Sequence, residues 1–326
     1  MKICIVGAGA IGGYLGAKLA LSGEEVTMIA RGAHLEAMRR DGLKLIMNDG
    51  TQHVVTNALV TSDMREAGPQ DAVIVTLKAH SLPGIAPVMR ALYGPETMVV
   101  TAQNGIPWWY FMKQEGPYQG QRIQAVDPDG IIEANMEVER VIGCVVYPAT
   151  ELEGPGVVRH IEGDRFTLGE LDGSKSERIR ALAAVLNKAG FKAPVRSNIR
   201  SEIWIKLWGN LAFNPISALT RATLVDICRY PLTRELARRM MSEAQEIANK
   251  LGIEFGISLE QRIDGAEKVG AHKTSMLQDI ETGRPTEVDA IVGAVAELGR
   301  LTGTPTPNID AIYAGVKLLE KTLTQA

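Results

Sequence analysis

Lys206, Asn210 and Asn214 recur every four residues, so on a helix they share one face. Ile203, Leu207 and Leu211, with Trp204 and Trp208, mark that helix as apolar. A lysine among apolar side chains is costly to keep charged. Such surroundings favour a lowered pKa, which suits proton transfer near neutral pH. The two amides beside it donate and accept hydrogen bonds without adding charge. The plainer alternative is a snorkelling lysine with two capping or core-satisfied asparagines. Pro215 is expected to break or kink the helix just after Asn214. Downstream, Ser275 and Asp279 stand four apart, and Glu287 follows a Gly-Arg-Pro turn. Residues 286–300 read as a helix with Glu287 in its first turn, either as a dipole-stabilising carboxylate or as a site residue.

A proton donor works on something, and the opening residues suggest what. KICIVGAGAIGGYLGAKLA, residues 2–20, is almost wholly apolar. An export signal needs a continuous apolar helix. Gly7, Gly9, Gly12, Gly13 and Gly16 are too dense for one, given the helix cost of glycine. KICIV has the composition of a buried parallel strand. GAGAIG follows at once, and a helix closed by Gly23 comes next. That order is the dinucleotide-binding arrangement. Gly7 takes the tight turn, Gly9 lets the backbone approach a pyrophosphate, and Gly12 lets helix and strand pack closely. The helix N-terminus attracts the anion. Ala8, Ala10 and Ile11 complete the cofactor-binding turn.

The second strand, EEVTMIA, ends at residue 30, where an NAD-binding chain usually carries an acidic residue for the ribose hydroxyl. Here Arg31 stands there, and a guanidinium forks onto a 2′-phosphate that a carboxylate would repel. The cofactor is therefore expected to be NADP(H). His34 and Arg39 follow on what reads as the next helix. Two further parallel strands run to Lys78 and to Asn104-Gly105. Ligands of open α/β sheets lie at the carboxyl ends of strands. Lys78 is thus placed for a phosphate or ribose, or is a solvated lysine. Asn104 is placed near the nicotinamide, or simply forms an Asn-Gly turn.

The expected fold is an N-terminal Rossmann-type, doubly wound α/β domain over 1–197, with an all-helical C-terminal domain over 198–326. Residues 42–63 read as a hairpin about Asn48-Asp49-Gly50. Strands over 141–150 and 165–171 continue the sheet, and 172–196 hold a helix and the short strand KAPVRS. Trp108-Trp109-Tyr110 is either core or the wall of a substrate pocket. Net charge is −3 with no basic block, which argues against nucleic acid or an anionic membrane as partner. Cys4, Cys144 and Cys228 are far apart, with no Cys or His at metal-ligand spacing. No metal is expected, and a reduced, cytoplasmic protein is.

The chain resembles ketopantoate reductases (2-dehydropantoate 2-reductases) over nearly its full length. The resemblance is carried by GAGAIGGYLGAKLA with Arg31, VTLKAH, QNG, RSEIWIKLWGNLAFNPISALT and TSMLQDIETGRPTEVDAI. It implies NADPH-dependent reduction of 2-dehydropantoate to (R)-pantoate, a step toward pantothenate and coenzyme A. It makes Lys206 the general acid. Asn210, Asn214 and Ser275 would hold the substrate's carboxylate and hydroxyl, and Asn104 would lie between substrate and nicotinamide. Glu287 would orient the cofactor ribose or the lysine, and Lys78 and Ala149 would line the cofactor cleft. The expected partners are a small 2-keto acid and, in a homodimer, a second copy of the chain. Two stretches depart from the family pattern, IPWWYF after Asn104-Gly105 and RATLVDI after Thr220, where some members carry another asparagine. Both fall near the expected substrate pocket. The alternatives are a reductase of another bulky 2-keto acid, or a non-catalytic NADPH-binding redox sensor, against which the presence of Lys206 weighs.

Overall fold

Short apolar runs pair into two sheets in the computed structural model, which describes residues 1–323. The strands are β1 Lys2–Val6, β2 Glu25–Ile29, β3 Leu43–Ile46, β4 Gln52–Val55, β5 Leu59–Thr61, β6 Gln70–Val75, β7 Tyr93–Thr101, β8 Val141–Val146, β9 Ala149–Gly154, β10 Val157–Glu162 and β11 Phe166–Glu170. The main sheet has the order β11-β8-β7-β6-β1-β2-β5. Its neighbours are parallel, except that β11 runs antiparallel to β8. Ile3 to Val6 of β1 are buried, as β-branched runs covered on both faces should be. The direction of winding switches between β1 and β6, which puts the ligand-binding crevice of such sheets at the end of β1.

The expected hairpin over 42–63 is present as β3–β4, with Leu43 opposite Val55 and Ile46 opposite Gln52. It belongs to a second sheet, β4-β3-β10-β9, while β5 returns to the edge of the main sheet beside β2. The β9–β10 hairpin carries no strong sequence signal, because β9 is largely exposed and charged. KAPVRS, expected as a strand, forms only isolated bridges from Lys192 to Arg165 and from Val195 to Leu168. Pro194 between them cannot donate to a ladder.

The helix α1, Ala10–Leu21, lies against both sheets, which explains its uniformly apolar sequence and its glycines. A Cβ on Gly16 would stand 3.1 Å from the Met28 sulfur and 3.3 Å from Ile5, in the main sheet. One on Gly13 would stand 2.8 Å from Val158, in the second sheet. Glycines on adjoining faces of the helix, one toward each sheet, let both sheets approach it closely. The next helix, α2, is Gly32–Asp41.

Residues 200 onward are helical, with no strand among those described. The lysine-bearing helix spans Ile199–Thr220, followed by Pro231–Lys250, Ser275–Glu281, Ala294–Thr302 and Pro307–Leu323 among others. Pro215 does not break the first of these, which runs on to Thr220. The lost N–H costs one bond within the helix, but Ile216, Ser217 and Ala218 beyond it are all buried and packing holds the last turn.

By contacts, one compact unit comprises Met1–Gln103, Phe111–Gln121 and Gly130–Ile199, and the other Asn104–Tyr110, Arg122–Asp129 and the chain from Arg200. Two short segments from before residue 197 therefore pack with the helices. Their backbones explain why, since the Ile106 N–H donates to the Ala290 carbonyl at 2.9 Å and the Ala125 N–H to Glu297 at 2.8 Å. The three cysteines are buried free thiols, and burial pushes Cys4 up to about 12. Among the described residues no helix is long and apolar enough to cross a membrane.

Candidate active site

In the first unit the site begins where β1 ends. Gly7 has φ +102°, a conformation costly for any residue with a Cβ. A Cβ on Gly12 would lie 2.3 Å from the Gly7 carbonyl oxygen and 2.5 Å from the Thr76 hydroxyl, so helix and turn can touch only through glycine. The Thr76 hydroxyl donates to that carbonyl at 2.8 Å, tying the turn to the end of β6. Gly9 caps α1 with no side-chain hydrogen bond, which leaves the first N–H groups of the helix for an anion. A Cβ at Gly9 would meet nothing closer than 4.0 Å, so glycine here keeps the space above the turn open. The turn fits a pyrophosphate on both counts.

Arg31 stands two residues beyond β2, exposed, as the N-cap residue of α2. His34, in the first turn of α2, is half-buried. The Gly156 N–H donates to its Nδ1 at 2.9 Å, and its Nε2 lies 2.7 Å from the Ala8 carbonyl oxygen. Burial lowers its pKa, which favours the neutral ring. Lys78 follows β6 and is half-buried, as is Ala149 at the start of β9. Gln103 is the first residue of QNG, and the sequence assigns it no role. Its amide donates to the carbonyls of Val75 and Leu77 at 2.7 and 3.1 Å, joining the ends of β6 and β7.

In the second unit three residues form a hydrogen-bonded chain. Lys206 Nζ donates to Asn104 Oδ1 at 2.7 Å, and Asn104 Nδ2 donates to Glu287 Oε2 at 3.1 Å. The carboxylate accepts only, so it fixes which way round the Asn104 amide stands and turns its oxygen to the lysine. All three are half-buried. Asn210 lies one turn after Lys206 and is half-buried, and Asn214 is buried. Ser275 opens the Ser275–Glu281 helix and is exposed, while Thr274 supplies the cap. Neither Ser275 nor the two later asparagines joins the hydrogen-bonded chain.

The chain is held from behind by features that sequence reading missed. Gly105 has φ +86°, and a Cβ there would stand 2.4 Å from the Ala290 carbonyl oxygen. Glu287 is followed by a wide π-turn, Asp289–Gly293, and not by the first turn of a regular α-helix. Such turns recur at functional sites. Asp289 accepts from the Tyr313 hydroxyl at 2.6 Å and from Lys317 at 3.0 Å. Trp108 and Trp109 are buried and act as core. Their neighbour Tyr110 accepts from Trp204 Nε1 at 2.7 Å through its hydroxyl, and from Arg200 Nε at 2.6 Å through its carbonyl. This aromatic segment fastens Asn104-Gly105 to the lysine helix.

Comparison with known proteins extends this geometry. Residues 3–173 match the family model described as ketopantoate reductase PanE/ApbA, and residues 198–320 match its C-terminal counterpart. A 2-dehydropantoate 2-reductase of Mesorhizobium japonicum is 55% identical over 320 residues, 98% of each chain. One from Pyrococcus horikoshii is 31% identical over 98% of each. Among solved structures, D-mandelate dehydrogenase with NADH and anilino(oxo)acetate superposes with a TM-score of 0.84 at 26% identity, covering 99% of both chains. Matched in chain order by both halves of the family description, the chain belongs to the ketopantoate reductase family.

Proposed function

We propose that this chain reduces 2-dehydropantoate to (R)-pantoate with NADPH, a step toward pantothenate and coenzyme A. The observation that carries the reading is the chain Lys206–Asn104–Glu287. Residues 7–12 and Arg31, with Lys78 and Ala149 beside them, would hold NADPH, which would supply the hydride. As negative charge builds on the keto oxygen, Lys206 Nζ gives it a proton. Asn104 keeps Nζ aimed, and Glu287 keeps Asn104 from flipping its amide. Asn210, Asn214 and Ser275 hold the substrate's carboxylate and hydroxyl. The labour divides along the chain, with 1–197 binding the cofactor and 198–326 supplying the proton donor and the remaining substrate contacts. The cytoplasm is the expected location, since all three cysteines are free thiols. A homodimer belongs to the same reading, and sedimentation tests it.

A second reading, reduction of another bulky 2-keto acid, is favoured by the likeness to D-mandelate dehydrogenase. NADPH oxidation against a panel of 2-keto acids separates the two. The proposal expects 2-dehydropantoate to give the highest kcat/KM. A higher value for an aryl or branched 2-keto acid selects the second reading. Tight NADPH binding without turnover of any member leaves only the sensor.

A further inference from the structure

The ring of His34 is engaged at both nitrogens. Because the Gly156 backbone N–H points at Nδ1 at 2.9 Å, that nitrogen must be the acceptor. The ring proton is then on Nε2, which donates to the Ala8 carbonyl at 2.7 Å. Ala8 lies between Gly7 and Gly9, within the turn that faces the pyrophosphate. Its own N–H donates to the Ile29 carbonyl at 2.9 Å. The peptide from Ala8 to Gly9 is therefore pinned at both ends, its carbonyl by His34 and its N–H by the Gly7 carbonyl at 2.7 Å. Gly156 is itself fixed, since its carbonyl accepts from the Lys44 N–H at 2.8 Å. Its φ of +75° and a Cβ position 3.0 Å from Ala37 bring its backbone tight against α2.

His34 and Arg31 share the first turn of α2. The His34 side chain grips the turn that would face the pyrophosphate, and Arg31 is the residue read as the partner of the 2′-phosphate. We propose that His34 is a positioning residue that sets the spacing between these two phosphate subsites, and so sharpens the preference for NADPH over NADH. The inference rests on the NADP(H) reading of Arg31. NADH lacks the 2′-phosphate and is indifferent to where Arg31 stands. Loss of the brace therefore harms NADPH more than NADH.

The test is a set of dissociation constants for NADPH and NADH, measured by nicotinamide fluorescence on wild type, Arg31→Ala, His34→Leu and His34→Gln. A glutamine amide can accept from Gly156 and donate to Ala8 in the manner of the ring, whereas leucine can do neither. His34→Leu should weaken NADPH about tenfold and NADH only about two- to threefold, the scale of one or two lost hydrogen bonds. His34→Gln should recover most of the preference. An unchanged NADPH-to-NADH ratio in a folded His34→Leu protein overturns the proposal, as does a folded His34→Gln protein no better than leucine. If Arg31→Ala leaves the ratio untouched, the cofactor reading falls with it. If only the Arg31 variant loses the ratio, the cofactor reading stands and the brace alone fails. Nitrogen-15 spectra of the wild-type imidazole need no variant to fold. They should show a neutral ring protonated at Nε2 at pH 7, and protonation at Nδ1 overturns the proposal.

Discussion

In the proposed mechanism the glycine turn and the lysine chain would work by opposite means. The turn spans six consecutive residues and functions through what is missing from them, since every useful atom is backbone and the glycines keep side chains out of the way. The lysine chain is built from three side chains, with sequence separations of 102 and 183 residues between its hydrogen-bonded partners. A site made by exclusion tolerates no additions. A site made by assembly depends on every segment that brings its members together. The two should therefore fail differently when altered.

The largest effect is expected at the lysine. Lys206→Ala should cut turnover by about 10²–10⁴-fold, the span for losing a general acid, while NADPH affinity stays near wild type. Stopped-flow turnover and fluorescence binding check this together, and near-normal turnover would move the acid elsewhere, with a protonated Glu287 the next candidate. At the turn, Gly12→Ala sets a methyl group against the Gly7 carbonyl and the Thr76 hydroxyl. Overpacking on this scale costs about 1–3 kcal/mol. Thermal unfolding should record that loss, and NADPH binding should fall with it. The contrast with Lys206→Ala is the point, since one change spares the cofactor and the other does not.

Arg31→Asp refines the same contrast, because it alters charge at the cofactor and leaves the turn intact. NADPH should bind more weakly by roughly 2 kcal/mol, and NADH as well or better. Equal affinity of the wild type for the two cofactors would remove the basis for this expectation. The smallest effect is expected behind the lysine chain. Tyr313→Phe leaves Asp289 with Lys317 and should cost about 1 kcal/mol of stability, with kcat lowered more than KM is raised. A change in KM alone would mean that the π-turn serves substrate binding and does not aim the donor.

What the sequence revealed follows the same division. The strand, glycine turn and helix were legible because they are contiguous, and a short, continuous apolar run giving way to glycines has few other meanings. Lys206, Asn210 and Asn214 were legible as a helical stripe, but nothing local showed that Lys206 meets Asn104. Their contact is set by Gly105 against Ala290 and by the aromatic segment, and no local pattern encodes it. Trp108 and Trp109 read equally well as pocket or core, since hydrophobicity does not say which face is covered. The helix does not break at Pro215, one of the two outcomes expected there, because the proline penalty of about 3 kcal/mol applies to an isolated helix and packing can override it. The β9–β10 hairpin was missed because an exposed, charged strand has no apolar alternation to detect.

The π-turn at Asp289–Gly293 also acts as a phase shifter. An α-helix advances about 100° per residue, and a π-turn carries one residue more than the α-turn it replaces. Glu287, before the turn, and the Ala294–Thr302 helix, beyond it, are therefore out of the angular relation that a regular helix would give them. The helix can point its apolar side at the core while the carboxylate points at Asn104. Removing any one residue from 289–293 would let the segment relax into a regular helix. Glu287 would then swing about a third of a turn away from the amide it holds, with no catalytic side chain having been touched.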